Sequence, residues 1–325
     1  MNRSVKNGFR CAVYPAPEKI PKSAFASVIP YRVKGSLDDK PVPDSVFEIY
    51  KERFAYDKTP LNARVESRKE NSDGWILERI TFDAAYDSER MIACLFLPKT
   101  AKPPYQTVVY FPGSASLMKE SSTDIENYYE FPIFLSYIVK NGRAVLYPIY
   151  IGTFERRKDV YLSMVIQAGD SSHLYSEYLI KLGKDFKRSI DYLETRNDID
   201  SKKIAYYGMS WGGYLGGIIP AVEDRLKAIV LVPGGLVRGE MEPVRPEADP
   251  INYATHIKIP TLMLNGRYDT IFPYDTSIKP LYDLLGSPKK EKVLKLYDTD
   301  HIPPRNEFVK ETLAWLDRHL GQVNR

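Results

Sequence analysis

An α/β fold built on a mainly parallel eight-stranded sheet is predicted by three features of this 325-residue chain. From about residue 75 onward, eight short apolar runs read as strands, and from Thr107 they alternate with stretches of helical spacing. The punctuation between them suits strand-to-helix turns, most clearly Tyr207-Gly208-Met209-Ser210-Trp211-Gly212-Gly213 after the apolar run Ile204-Ala205-Tyr206. Apolar residues make up 43% and aromatics 12%, enough to fill a core on both faces of such a sheet.

Residues 1–74 carry Pro15, Pro17, Pro21, Pro30, Pro41, Pro43 and Pro60, with one plausible helix around Asp44 to Phe54. Proline removes a ladder donor, so this part is expected to be an irregular extension wrapping onto a main domain at 75–325. Trp75 to Phe82 and Arg90 to Leu97 read as a hairpin or meander joined by the polar turn Asp83 to Glu89. Thr107 to Phe111 is a buried strand ending at Pro112-Gly113. Glu130 to Lys140 is helical in spacing and stops at Asn141-Gly142, a suitable cap. Ala144 to Tyr150 is the next strand. Leu174 to Thr195 is an amphipathic helix with Leu182, Phe186, Ile190 and Leu193 on one face. Lys203 to Met209 is the strand before Ser210, and the helix after it is expected to run through Gly216-Gly217. Strands at Ala228 to Val232, Thr261 to Leu264 and Val293 to Tyr297 complete the eight. Helices lie over Leu281 to Leu285 and Asn306 to Leu320. Repeated alternation implies right-handed crossovers with helices on both faces.

Composition excludes several classes. A net charge of +4, with both signs interspersed and no basic stripe, argues against a nucleic-acid partner. Cys11 and Cys94 are too few and too far apart for a disulfide framework or metal cluster. Neither His-Glu-x-x-His nor Gly-x-Gly-x-x-Gly occurs, so no metal and no cofactor is expected. Met1 to Arg10 lacks an apolar leader core, and no stretch approaches a membrane span, which suggests a cytoplasmic protein with no membrane partner.

Chemistry concentrates at three positions. Ser210 sits at the centre of Gly-x-Ser-x-Gly, where glycines permit a sharp turn and push the hydroxyl out at the strand tip. A serine hydroxyl needs a base, and that base needs a group holding its tautomer. Asp269, in Asn265-Gly266-Arg267-Tyr268-Asp269, and His301, in Tyr297-Asp298-Thr299-Asp300-His301, each come just after a strand, so all three should emerge at one edge of the sheet. Asp269 could instead cap the next helix, and Asp298 and Asp300 compete for its role. Those two neighbour the base in sequence, and they fit better as groups shaping its loop. His173, His256 and His319 lie in poorer contexts. The backbone N–H groups of Trp211 and of Ser114, in Phe111-Pro112-Gly113-Ser114, are the candidate oxyanion donors. The hydroxyls of Ser114 and Ser116 receive no role.

These motifs resemble the dienelactone hydrolase and prolyl-oligopeptidase-like branch of the α/β-hydrolases across roughly residues 75–322. The resemblance rests on Asp198-Ile199-Asp200 before the Ser210 turn, on Leu262 to Asp269, and on Asp300-His301. Ile80 to Tyr86 and Tyr110 to Ser114 resemble hydrolase modules fused to bacterial serine/threonine kinase domains. Asn7 to Cys11 resembles the end of a formylglycine-generating-enzyme-like domain. No kinase motif occurs. The resemblance implies hydrolysis of small to medium carboxylic esters through an acyl-serine, with Ser210 as nucleophile, His301 as base and Asp269 as its orienter. Dienelactone hydrolases use cysteine where this chain has Ser210, a departure that bears on substrate. Pocket walls are expected from the N-terminal segment, the loop after Gly113, the Tyr147 to Ser172 region and the Gly234 to His256 linker. Among the aromatics Tyr150, Phe154 and Trp211, the best candidates for substrate contact are Tyr150 and Trp211. Aminopeptidase-like hydrolysis, acyl transfer and a non-catalytic scaffold are the competing readings.

Overall fold

The computed structural model describes residues 40–70, 72–166, 173–236 and 244–325. Residues 1–39, with Cys11 and the Asn7 to Cys11 motif, lie outside them, as do parts of the Tyr147 to Ser172 and Gly234 to His256 segments. Among the described residues nine strands form one sheet, in the order β1-β2-β3-β5-β4-β6-β7-β8-β9. They are β1 (Arg64–Lys69), β2 (Trp75–Asp83), β3 (Arg90–Pro98), β4 (Tyr105–Phe111), β5 (Ala144–Ile149), β6 (Ile199–Gly208), β7 (Leu226–Leu231), β8 (Thr261–Gly266) and β9 (Lys292–Tyr297). β1, β2, β3 and β5 pair antiparallel, and every pairing from β5 through β4 to β9 is parallel.

The sheet therefore has one strand more than the eight expected. β1 is exposed along its whole length and carries Arg64, Glu66, Arg68 and Lys69. With no apolar alternation it leaves no strand signature; it is held at the edge by backbone pairing, where charge suits a strand that faces solvent.

Side-chain alternation divides the core. On β4 and β6, Val109, Phe111, Ile204 and Tyr206 join one apolar cluster, while Val108, Tyr110, Ala205 and Tyr207 join the other. Burial on both faces explains why these parallel strands read as unbroken apolar runs. Of the eight helices among the described residues, α1 (Asp44–Glu52), α4 (His173–Glu194), α5 (Trp211–Leu215) and α6 (Ile251–Ala254) pack into the first cluster with α3 (Asp159–Ile166) and α7 (Lys279–Leu284). α2 (Ser136–Asn141) and α8 (Arg305–Leu320) cover the second. The helix expected from Glu130 opens as a single π-type turn, Phe131–Leu135, before α2 begins. Pro132 cannot donate there, and the Ser136 hydroxyl bonds its carbonyl at 3.0 Å. α2 then stops at left-handed Gly142 (φ 110°), as expected. α5 ends at Leu215 rather than continuing through Gly216-Gly217, consistent with the poor helix propensity of glycine. α3 and α6 are additions to the helices that the sequence predicts.

Behind β5, the buried Asp185 of α4 accepts from Tyr86 Oη (2.8 Å), from the Ile151 N–H (2.9 Å) and from the buried Arg156 guanidinium. Arg156 also donates to the Ile149 carbonyl at 3.0 Å, so the chain leaving β5 is fastened from both sides. Asp185→Ala leaves the buried Arg156 only one carboxylate partner, the half-buried Glu89, and is expected to cost about 3 kcal/mol in urea denaturation. A loss below about 1 kcal/mol, the range of an exposed ion pair, would remove this network from the account of stability. Cys94 is buried in β3, and burial pushes its thiol up to about 12. Among the described residues no helix is long and apolar enough to cross a membrane.

Candidate active site

The turn after β6 is shaped by its neighbours. Met209 N–H bonds the Phe111 carbonyl at the end of β4 (3.0 Å), and Ser210 N–H bonds the Val232 carbonyl after β7 (3.3 Å). Pinned between two strands, Ser210 adopts φ 53° and ψ −103°, a sparsely populated conformation for a residue with a side chain. A β-carbon at Gly212 would stand 2.2 Å from the Phe111 carbonyl oxygen, so only glycine admits the turn this close to β4. The Gly212 N–H bonds the Pro112 carbonyl at 3.0 Å.

His301 reaches this turn from the loop after β9. Its Nε2 is 2.8 Å from Ser210 Oγ and its Nδ1 is 2.8 Å from Asp269 Oδ2. A carboxylate only accepts, so Nδ1 carries the proton and Nε2 is left as the acceptor for the serine hydroxyl. Asp269, with its side chain fully buried, divides its two oxygens between tasks. Oδ1 accepts the Ile271 and Phe272 N–H groups at 2.8 and 2.9 Å, while Oδ2 meets the imidazole. Asp269 thus holds the start of its own loop and faces the imidazole at once. Asp300 Oδ1 accepts the His301 N–H at 2.8 Å, and Asp298 meets Arg267 at 3.0 Å. Neither approaches the imidazole as an alternative to Asp269.

The Asp and His loops are tied together. Arg267 N–H bonds the Tyr297 carbonyl (2.7 Å), and Tyr268 N–H bonds the Thr299 carbonyl (3.0 Å). A β-carbon on Gly266 would lie 1.7 Å from the Asp300 carbonyl oxygen. Gly266→Ala must therefore part the two loops, and turnover is expected to fall about 10²-fold, the usual penalty for displacing a reacting group by an ångström. Wild-type turnover in that variant would show that the loop contact does not set the imidazole.

The other histidines stand apart. His173 opens α4, His256 stacks on Phe47 at 3.5 Å, and His319 packs against Trp315 at 4.2 Å.

The loop after β4 begins a short 3₁₀ turn at Ser114–Met118. Neither the Ser114 nor the Trp211 N–H has a hydrogen-bond partner among the described residues. Ser116, which had no role in the sequence, has one in the fold: its hydroxyl and its N–H both donate to the Gly113 carbonyl, at 2.8 and 3.2 Å. In a planar trans peptide the N–H points opposite to the carbonyl, so fixing Gly113 O also aims the Ser114 N–H.

The two expected substrate contacts are placed differently from that expectation. Tyr150 is fully buried, stacks on Phe111 at 4.0 Å and donates its hydroxyl to the Tyr110 carbonyl at 3.0 Å. Core packing accounts for it. Trp211 is 6% exposed, edge-on to Phe111 at 5.3 Å and stacked near Tyr178 at 6.3 Å. It supports the turn from within.

Residues 163–301 match the dienelactone hydrolase family model, a span that holds Ser210 and Asp269 and ends at His301. Over this stretch, less than half of the chain, the sequence is similar to the dienelactone hydrolase family. Cutinase est2 of Thermobifida alba is 29% identical to this chain over 154 residues, which cover 44% of the chain and 46% of the cutinase. The chain thus spans about half the length of the curated relatives it matches. Acetyl xylan esterase from Paenibacillus sp. R4 superposes with a TM-score of 0.61 at 19% identity, covering 87% of this chain and 98% of that enzyme. Acetyl xylan esterase 1 from Thermoanaerobacterium sp. JW/SL YS485 gives 0.59 at 17% identity, with 86% and 94% covered. At these identities the likeness is one of fold.

Proposed function

We propose that this protein is a serine carboxylesterase acting on small to medium acyl esters. One observation carries the reading: a single imidazole lies 2.8 Å from both a serine hydroxyl in a strained turn and a buried carboxylate. In the first step His301 Nε2 takes the proton of Ser210 Oγ as that oxygen adds to the ester carbonyl. The Asp269 carboxylate stabilises the imidazolium so formed. The Trp211 and Ser114 N–H groups, unpaired within the described residues, stabilise the oxyanion. Return of the proton from His301 to the leaving alkoxide releases the alcohol and leaves the acyl group on Ser210. Water, deprotonated by the same imidazole, then frees the acid and restores the serine. The names of the relatives, cutinase and acetyl xylan esterase, both denote ester hydrolysis and favour an ester over an amide.

A fluorophosphonate probe is expected to label the wild type and not Ser210→Ala. p-Nitrophenyl acetate and butyrate should be turned over faster than aminoacyl-nitroanilides. Absence of labelling in the wild type would favour a non-catalytic scaffold, and faster anilide cleavage would make the protein a peptidase. A cytoplasmic location belongs to the same proposal, and cell fractionation tests it.

A further inference from the structure

Glu130 is a completely buried carboxyl that the triad chemistry does not use. It lies just ahead of the π-type turn, on the face of the sheet covered by α2 and α8, and four donors converge on it. Oε1 accepts the Gly113 N–H at 3.0 Å and Tyr129 Oη at 3.2 Å. Oε2 accepts Tyr147 Oη at 2.9 Å and Tyr110 Oη at 3.1 Å. Tyr110 comes from β4, Tyr147 from β5 and Tyr129 from the segment of Glu130 itself, where Tyr128 is a further titratable neighbour. Among the described residues no Lys, Arg or His pairs with it.

The Pro112–Gly113 peptide is consequently gripped on both edges, its carbonyl by the Gly212 N–H of the nucleophile turn and its N–H by Glu130. The next peptide is gripped at its carbonyl by Ser116, which leaves the Ser114 N–H as the free donor. We infer that Glu130 is the positioning residue for the Ser114 N–H, and that it holds the oxyanion loop as a carboxylate. This rests on the esterase reading of Ser210.

The donor count decides the protonation state that works. Four donors saturate a carboxylate. A protonated carboxyl must itself donate. A tyrosine hydroxyl can turn to accept that proton, but then one of the four bonds is lost and the grip on Gly113 weakens. Burial pushes the Glu130 carboxyl up to about 7, with the bonds from Tyr147, Gly113, Tyr110 and Tyr129 opposing that rise. The loop therefore passes between the two states near neutrality. Sign follows from linkage: the folded protein holds this proton more tightly than the unfolded chain. The contribution of Glu130 to stability is present in acid, below the unfolded carboxyl value, and is lost as pH rises to about 7. Activity moves the opposite way, since the carboxylate holds the loop.

The experiment uses two readouts across this pH range. In ¹⁵N-labelled wild type the Gly113 amide resonance should titrate with a midpoint near that of Glu130, and in Glu130→Gln it should not. The acid limb of kcat/KM should carry one proton fewer in Glu130→Gln than in the wild type. Glu130→Gln keeps an acceptor for Gly113, but its amide must donate as the protonated carboxyl does, so kcat should fall below the alkaline wild-type value and stay there across this pH range. Glu130→Ala should lose about 10²-fold in kcat with little change in KM. A Gly113 resonance insensitive to pH, or an acid limb of unchanged proton count in Glu130→Gln, would overturn the inference. If instead Gly113 titrates as expected and the wild type takes no fluorophosphonate, the esterase reading falls while the carboxylate's hold on the loop stands.

Discussion

Ser210→Ala is expected to cut ester turnover by a factor on the order of 10⁴ or more, and His301→Ala to do the same. The reason is mutual dependence. The hydroxyl and the imidazole are 2.8 Å apart, and on the proposed mechanism they act in one proton transfer, so neither serves without the other. The Ser210→Ala, His301→Ala double variant should consequently be no worse than either single one, with the residual rate coming from binding and the two N–H donors. Additive losses in a double-mutant cycle would mean that the two residues act in separate steps. Folding should be undisturbed in Ser210→Ala, because the turn is held by backbone bonds to the Phe111 and Val232 carbonyls rather than by the serine hydroxyl.

Asp269→Asn should be nearly as damaging, about 10⁴-fold in kcat, for a reason visible in its hydrogen bonds. Two backbone donors, from Ile271 and Phe272, require an oxygen at the Oδ1 position. An asparagine must therefore present its amide nitrogen to His301 Nδ1. The imidazole then carries its proton on Nε2, facing Ser210, and can no longer act as base. Asp269→Ala removes the same orientation and also leaves both N–H groups unpaired, so it should lose thermal stability as well as activity. Asn retaining substantial activity while Ala loses it would show that Asp269 serves the loop and not the imidazole. Gly266→Ala offers the complementary case, in which the carboxylate is kept and its loop displaced.

Much of this architecture is legible in the chain. The runs Thr107 to Phe111, Ala144 to Tyr150 and Ala228 to Val232 announce themselves because strands buried on both faces must be apolar throughout. Their observed spans, β4, β5 and β7, differ from those runs by a residue or two at the ends. The Ser210 turn is equally readable, since its glycines are local requirements of a tight bend. β1 is not readable: its exposed residues pair with β2 through the backbone and through charged side chains such as Arg68 and Glu66, none of which shows as apolar alternation. α3 is hidden for a related reason, being too short for a helical period to stand out.

The candidate site divides along the same line. Ser210, Asp269 and His301 carry signals in their immediate neighbours, and each lies just beyond a strand whose direction could be inferred. Tyr150 and Trp211 stand out as aromatics close to the site in sequence, yet burial consumes both, and nothing local distinguishes a core aromatic from a pocket wall. Glu130 carries no local signal at all. It opens an ordinary helical pattern, and its significance depends on Tyr110, Tyr147 and Gly113 arriving from other parts of the chain.

Local sequence thus determined eight of the nine strands, the sharp turn and the order of serine, aspartate and histidine, because apolar periodicity and glycine geometry act over a few neighbouring residues. Folding decided the division of the Asp269 oxygens, the fit of Gly266 against Asp300 and the four donors around Glu130. Each of those depends on distances between segments far apart in the chain, and such distances exist only once the sheet has closed and its loops have packed.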